Sequence, residues 1–192
     1  MTPDHIFRDH GFGKVAPWVD LVNSEEWDGF GKREDHLADV HWLAAFLKHW
    51  KLPPVRLSPA PHRELLELRA LLRHAAEELA VREPLGPQEL SKLNHALKVP
   101  VRQRLVQHQN GFRSELVPVK SGWSWVIARI AASLGEMLAK SDAERVKICA
   151  NGDCRWVFYD PTKAKIKRWC KDSTRGNRAR VRRARAAQAR KA

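Results

Sequence analysis

Cysteine is scarce in this sequence, and long apolar segments are absent. The 192 residues include three cysteines, an odd number that cannot pair completely into disulfides. This argues against a small secreted scaffold held together by disulfides. No apolar run approaches the roughly 20 residues that a membrane-spanning helix needs, and the N-terminus lacks the apolar region of a signal peptide. We therefore expect a cytoplasmic protein with no membrane partner.

Sequence motifs typical of enzymes are missing as well. The chain contains no glycine-rich phosphate loop, no nucleophile elbow and no histidine pair of the zinc-protease type. It also lacks a pair of carboxylates at helical spacing beside a predicted pocket. We predict that the protein is not an enzyme.

Helical periodicity dominates the first three-quarters of the chain, which is long enough to bury a core. The clearest helix has apolar residues at alternating steps of three and four: Leu65, Leu68, Leu72, Ala75 and Leu79. Its charged residues, Arg69 among them, are expected on the outer face, away from this stripe. A similar stripe follows residue 35: Leu37, Val40, Leu43, Leu47 and Trp50. Four prolines are expected to break that helix and to form a stiff connector to the next: Pro53, Pro54, Pro59 and Pro61. Two further helices are predicted, one beginning at Pro87 and one capped by Ser121.

Two shorter segments break this periodicity. The runs 101–108 and 112–119 flank Asn110-Gly111, which is a strong signal for a β-hairpin. The sequence WVDLVNS, residues 18–24, predicts a short buried strand or turn.

Positive charge is concentrated in the last quarter of the chain. Residues 147–192 contain 15 of the 35 Lys and Arg residues but 3 of the 22 Asp and Glu residues, and so carry 12 of the formal net charge of +13. Such a field attracts polyanions, of which nucleic acids are the commonest in a cytoplasm. From Thr174 the sequence combines arginine with good helix formers, which predicts a basic helix that binds phosphates. The alternative is a solvated tail without a binding role.

All three cysteines lie in this basic quarter, at the spacing Cys149-x4-Cys154-x15-Cys170. Two close thiols followed by a distant third is how short chains hold zinc, and a structural zinc site takes four ligands. Position 175, which would complete a second x4 pair, is arginine, and a guanidinium only donates hydrogen bonds. No histidine follows Cys149.

The incomplete ligand set leaves two interpretations open. In one, the three thiols bind zinc, and the fourth ligand is water, a histidine of the body, Asp153 or Asp172. In the other, the metal is lost and a substitute core forms from the apolar residues nearby: Trp156, Val157, Phe158 and Trp169. Because structural zinc sites are almost always four-coordinate, we expect less than one zinc per chain.

The segment 146–185 resembles the CGNR zinc finger, which is named after a Cys-Gly-Asn-Arg tetrapeptide. The matching residues are Cys149, Cys154, Trp156, Phe158, Asp160, Arg168-Trp169-Cys170 and Gly176-Asn177-Arg178. Arg175 stands where the family has its fourth cysteine. The preceding body resembles the ABATE domain in the segments WVDLVNS, WLAAFLKHWKL and ELLELRALLRHAAEEL and in the hairpin. The resemblance implies a stress-responsive transcription regulator in which the finger binds DNA and the body acts as a sensor.

These observations predict an α+β protein, mainly α. A helical body with a small antiparallel hairpin, residues 1–142, would bind a small-molecule effector or form a homodimer. A finger-like module, residues 143–192, would end in the basic helix. The predicted nucleic-acid-binding residues are Arg175, Asn177, Arg178, Arg180, Arg182, Arg183 and Arg185, and the first three are the candidates for reading bases.

DNA is the expected partner, and two alternatives stay open. The first is an RNA-binding protein in which Trp156, Phe158 and Trp169 stack on bases. The second is a small-molecule-binding protein whose finger has become a structural appendage.

Overall fold

The computed structural model describes residues 15–27, 32–56, 58–108, 111–140 and 142–170. In these ranges the chain forms five α-helices and three two-stranded antiparallel sheets, β1–β2, β3–β4 and β5–β6, which confirms the predicted α+β class with mainly α content. The elements are α1 (Pro17–Asn23), β1 (Glu25–Trp27), β2 (Arg33–Asp35), α2 (Val40–His49), α3 (Pro59–Ala80), α4 (Pro87–Ala96), β3 (Val101–His108), β4 (Gly111–Pro118), α5 (Trp123–Ala139), β5 (Val146–Ile148) and β6 (Val157–Tyr159). None of the helices in the described ranges is long and apolar enough to cross a membrane.

Helix α1 is the segment that we predicted to be a strand or turn, and that prediction was wrong. Pro17 occupies its first turn, where a fixed φ and a missing N–H suit a helix. Trp18, Leu21 and Val22 are completely buried, with the three-residue spacing of one helix face. The neighbouring residues are buried as well, so the contrast between an apolar and a polar face, on which the prediction depends, is missing.

Helix α2 lies where the sequence predicted a helix, but the buried face is different. Leu43 and Leu47 are buried as expected, whereas Val40 is 59% exposed. Trp42 and Phe46 enter the core instead and stack with their ring centroids 5.2 Å apart. The large rings are better placed inside than valine because they remove more apolar area from water.

Helix α3 buries all five residues of its predicted stripe. Its beginning differs from the prediction, because Pro59 and Pro61 form the first turn instead of ending a connector. Proline is tolerated there since the first N–H groups of a helix have no partner within it. Arg69, which we expected on the outer face, is buried and paired with Asp35.

The β-hairpin was predicted correctly. Strands β3 and β4 pair without a bulge, from Val101 opposite Pro118 to His108 opposite Gly111. Because side chains alternate between the two faces of a strand, one face carries a row of exposed apolar residues: Val101, Leu105, Phe112 and Leu116.

The core lies where α1, α3 and α5 pack against one another. Helix α5 contributes the apolar face that the sequence predicted, but Gly122 precedes it at the N-cap and Ser121 does not cap it. Val146 of β5 and Val157 of β6 belong to the same apolar cluster as the helices. The small sheet that carries the cysteines is therefore packed directly on the helical body.

Candidate metal centre and nucleic-acid interface

The turn between β5 and β6 presents the first two cysteines. Cys149 follows β5, and its N–H donates to the carbonyl oxygen of Trp156 at 2.9 Å, which extends the strand ladder by one pair. The N–H of Cys154 donates to the carbonyl oxygen of Asn151 at 2.9 Å and closes the tight turn. Arg155 then adopts a left-handed backbone conformation, with φ of 52°, and directs the chain into β6.

Asp160 organises the loop that brings in the third cysteine. Its side chain is completely buried and accepts hydrogen bonds from the N–H groups of Thr162 at 2.9 Å and Lys167 at 2.8 Å. Burial raises the pKa of Asp160, but these bonds and the one from the Thr162 hydroxyl outweigh it, so the pKa lies below its usual value. The N–H of Ala150 donates to the carbonyl oxygen of Arg168 at 2.8 Å, which places Cys170 beside the first turn.

The three sulfur atoms form one compact group. Each Sγ lies within 4.8 Å of the other two, and the Sγ atoms of Cys154 and Cys170 are 3.8 Å apart. Two thiolates each about 2.3 Å from a zinc ion at the tetrahedral angle stand roughly 3.8 Å apart. None of the three cysteines forms a disulfide. Their spacing and their chemistry therefore fit zinc.

The thiols hold their protons unequally. Hydrogen bonds from Cys154 and then Cys170 lower the pKa of Cys149 to about 2. The bond to Cys149 is also the largest cause that raises the pKa of Cys154 and of Cys170 above the usual value. A cation at the centre of the group would favour the thiolate form of all three cysteines. A metal ion that bound here would displace protons from the cluster.

The fourth ligand is not among the described residues. No carboxylate or imidazole of the described ranges joins the three sulfur atoms, so Asp153 and the described histidines of the body do not complete the site. Asp172 and Arg175 lie outside the described residues. The cluster can bind zinc with three protein ligands, and the fourth position is left to water, to Asp172 or to a histidine outside the described residues.

Aromatic residues surround the same cluster. Trp156 and Phe158 are buried against Cys149 and Cys154, and Trp169 is partly buried beside them. Three residues of the substitute core that we considered as an alternative to zinc therefore surround the thiols, whereas the fourth, Val157, belongs to the core of the body. Two of the three rings proposed to stack on RNA bases are buried in this cluster, and base stacking requires an exposed ring face.

A positively charged groove of about 550 Å³ runs beside the cluster, between the end of α3 and the segment 165–168. Its basic lining residues are Lys147, Lys165, Lys167 and Arg168, and its one acidic lining residue is Glu77. Lys165 forms an ion pair with Glu144. The guanidinium of Arg168 lies over the ring of Trp169, 5.4 Å from its centroid. The groove has the charge that a phosphate backbone would require.

Two residues of the body, whose role we did not predict, attach the finger. The side-chain amide of Asn23 donates to the carbonyl oxygen of Val157 at 2.8 Å and accepts from its N–H at 2.9 Å. Asn23 therefore pairs with β6 as a neighbouring strand would. Arg73 of α3 donates to the carbonyl oxygen of Arg155 at 2.8 Å. The amide inside the apolar segment WVDLVNS is the sequence signal by which Asn23 could have been found.

The predicted nucleic-acid-binding residues fall outside the described part of the chain. They are Arg175, Asn177, Arg178, Arg180, Arg182, Arg183 and Arg185. They follow Cys170 directly, so the described groove and the arginine-rich segment are adjacent in sequence. Their role stays a prediction.

The architecture and the cysteine cluster define a class of protein in which a helical body precedes a zinc finger. The chain belongs to the ABATE family, described as "Putative stress-induced transcription regulator", whose model matches residues 16–141. The model of the CGNR zinc finger matches residues 145–188. Both findings confirm the resemblance seen in the sequence, and neither description is that of an enzyme. A search among curated proteins gives no significant match.

Proposed function

We propose that the protein is a cytoplasmic, non-enzymatic transcription regulator that binds duplex DNA through the finger, its basic groove and the arginine-rich segment 175–185. The observation that carries the proposal is the groove beside the thiol cluster, where four basic side chains meet one carboxylate. Lysine and arginine in such a groove contact phosphates, which position a protein on DNA without reading its sequence. The regulatory class of the ABATE family and the finger match support the same function.

Sequence preference would come from the residues that follow the third cysteine. Arg175, Asn177 and Arg178 carry side chains that recognise guanine or adenine edges in the major groove. In this proposal the basic groove contacts the phosphate backbone of DNA, and the segment 175–185 contacts the base edges. The cysteine cluster holds the two together, and zinc would stabilise that junction.

The test measures binding of the full-length chain to duplex DNA by fluorescence anisotropy at several salt concentrations. The double variant Lys147→Gln/Arg168→Gln neutralises two groove residues. We expect its affinity to fall for every duplex sequence. The plot of log K against log salt should also become less steep, by about 0.9 for each phosphate contact that the variant loses. Truncation before residue 146 is unsuitable, because Val146 and Val157 belong to the core of the body.

The matched control is Lys48→Gln/Lys92→Gln, which removes the same charge from exposed positions on α2 and α4. We expect it to leave the salt slope unchanged. Equal slopes for the two double variants, or an affinity that does not depend on salt, would contradict the proposal. Preferential binding of single-stranded RNA would favour the RNA alternative instead.

A cleft in the body favours a second role as an effector sensor. It has a volume of about 910 Å³ and lies between the start of α1, strand β4 and helix α5. Its lining mixes aromatic and charged groups: Trp50, Arg113, Glu115, Trp125, Arg129, Glu136 and Tyr159. Such a lining suits a small polar molecule with an aromatic or apolar part. The effector and the homodimer both stay predictions.

A further inference from the structure

A second group of metal-ligating side chains lies in the body, between α3 and α4. It consists of His74 and Glu78 on α3 and Glu89 in the first turn of α4. One ligand atom from each lies within 4.8 Å of the other two. Neither family description assigns a role to this group, and the proposed function does not use it.

The distances fit coordination of a common ion better than direct hydrogen bonding. His74 Nε2 is 3.6 Å from Glu78 Oε1 and 3.7 Å from Glu89 Oε1. Both separations are longer than ordinary nitrogen–oxygen hydrogen bonds, which are about 2.7–3.2 Å. Two donors each about 2.1 Å from one cation stand roughly 3.0–3.8 Å apart for bond angles between about 90° and 130°. An ion between these atoms would bond all three.

A buried and unsatisfied oxygen supports the same conclusion independently. Glu78 Oε2 is inaccessible to solvent and has no hydrogen-bond partner among the described residues. The oxygen of Glu78 that is near His74 is the other one, Oε1, so an ion would satisfy Oε2 by binding both oxygens of the carboxylate. The carboxylate of Glu89 lies beside that of Glu78 and adds a second negative charge, which repels the first in the absence of a cation.

The backbone holds the three residues in place. Arg82, two residues after the end of α3, adopts a left-handed backbone conformation with φ of 67°. The N–H of Glu83 then donates back to the carbonyl oxygen of Glu78 at 2.9 Å, which closes the end of the helix. A short connector follows, and Pro87 begins α4. Glu89 Oε2 lies so close to Gly86 that a Cβ at that position would approach it to 2.5 Å. One oxygen of Glu89 therefore lies against Gly86, and the other, Oε1, is the one near His74.

We propose that His74, Glu78 and Glu89 form a site for a divalent first-row transition-metal ion that links α3 to α4. One imidazole and two carboxylates suit Mn²⁺, Fe²⁺ or Zn²⁺, and the imidazole disfavours Ca²⁺ and Mg²⁺. His74 is 54% exposed, so water completes the coordination and the ion enters directly from solvent. The bound ion fixes the end of α3, whose residues Glu77 and Val81 line the basic groove.

The experiment titrates the full-length chain with Mn²⁺ and follows the free ion by electron paramagnetic resonance. Mn²⁺ prefers oxygen and nitrogen donors to thiolates, so the cysteine cluster does not compete for it. We expect about one Mn²⁺ per chain, as one group of donors implies. Glu78→Gln and His74→Ala should each weaken binding by at least about tenfold, since even the loss of an outer-shell partner costs that much.

Matched substitutions on the same two helices serve as controls. Glu67→Gln and His95→Ala change exposed residues of α3 and α4 outside the group and should leave Mn²⁺ binding unchanged. The absence of binding, or equal binding by Glu78→Gln and Glu67→Gln, would overturn the proposal.

Thermal unfolding distinguishes the metal site from a plain ion pair. Zn²⁺ should raise the melting temperature of Glu67→Gln more than that of Glu78→Gln, because only the former keeps the site. If the group is an ion pair alone, Glu78→Gln will change stability by the same amount with Zn²⁺ and with a chelator. This result would also overturn the proposal, and it would leave the DNA-binding function untouched.

Discussion

The pair formed by the partly buried Asp35 and the buried Arg69 shows how single residues decide the packing of the body. The two terminal guanidinium nitrogens of Arg69 each donate to one carboxylate oxygen of Asp35 at 2.7 Å. One of them, Nη1, also donates to the hydroxyl of Ser24 at 3.0 Å. Arg69 is 8% exposed, so its charge depends on these partners. The hydrogen bonds from Arg69 hold the pKa of Asp35 below its usual value of 3.8.

This shift predicts how stability depends on pH. The folded state binds the proton of Asp35 less readily than the unfolded state does. The pair therefore stabilises the protein fully at pH values above the pKa of Asp35 in the unfolded state. This stabilisation is lost as the pH falls through the lower pKa of Asp35 in the folded state. Asp35→Asn should lower the free energy of unfolding at pH 7 by about 2 kcal/mol, less than for a fully buried pair. The difference should shrink in acid. Urea unfolding at pH 7 and near pH 3 checks this, with the exposed Glu64→Gln as control. A constant difference at both pH values would contradict it.

The buried apolar residues of α3 were predictable from the sequence, and the buried polar residues of the body were not. The stripe of α3 was correct because apolar periodicity reports directly which face leaves water. Arg69 was misplaced because a charged side chain is buried only when its partners are supplied by distant segments, here residues 24 and 35. Asp20 is similar, since it is buried and accepts a hydrogen bond from Trp50 Nε1 at 2.8 Å. Such pairings have no local sequence signal.

At the scale of elements, the strongest local signals were the reliable ones. The hairpin followed from Asn110-Gly111, and α4 followed from Pro87. Strands β1 and β2 were not predicted, because each has three residues and carries mainly charged side chains. The cysteine spacing predicted the cluster but not its ligand count. The missing fourth ligand makes zinc occupancy a separate question from the fold of the finger.

Restoring the fourth cysteine tests the metal centre. Arg175→Cys supplies the thiol that completes the second x4 pair and gives the four ligands of a structural site. We expect zinc to rise from less than one to about one per chain, and a chelator to lower the melting temperature of this variant more than that of the parent. Elemental analysis and thermal unfolding measure the two effects.

Arg178→Cys is the control, since it adds a thiol at the wrong spacing. It should not raise the zinc content. Stoichiometric zinc in the unaltered chain, with unfolding on chelation, would show that three cysteines and a fourth, non-cysteine ligand suffice.

At the scale of the whole molecule, the connection between body and finger predicts that the two depend on each other. Asn23→Ala leaves the N–H and carbonyl of Val157 without partners in a buried region. We expect a loss of about 2 kcal/mol in the free energy of unfolding and faster proteolysis within residues 143–170. Asn94→Ala, an exposed change on α4, should have neither effect. An unchanged rate of proteolysis in Asn23→Ala would indicate that the finger is independent of the body.

The position of α1 in the chain bears on how the protein is made. The N–H of Trp18 donates to the hydroxyl of Ser133 at 3.4 Å across 115 residues, and Asn23 pairs with Val157 across 134. At about 5–20 residues per second, a ribosome needs on the order of 10 s to deliver those partners after it has made α1. During that delay α1 has α3 to pack against, while the surface of α1 that meets α5 and β6 stays uncovered on the nascent chain. The contacts of α1 with α5 and β6 are therefore among the last of the body to form as the chain is made.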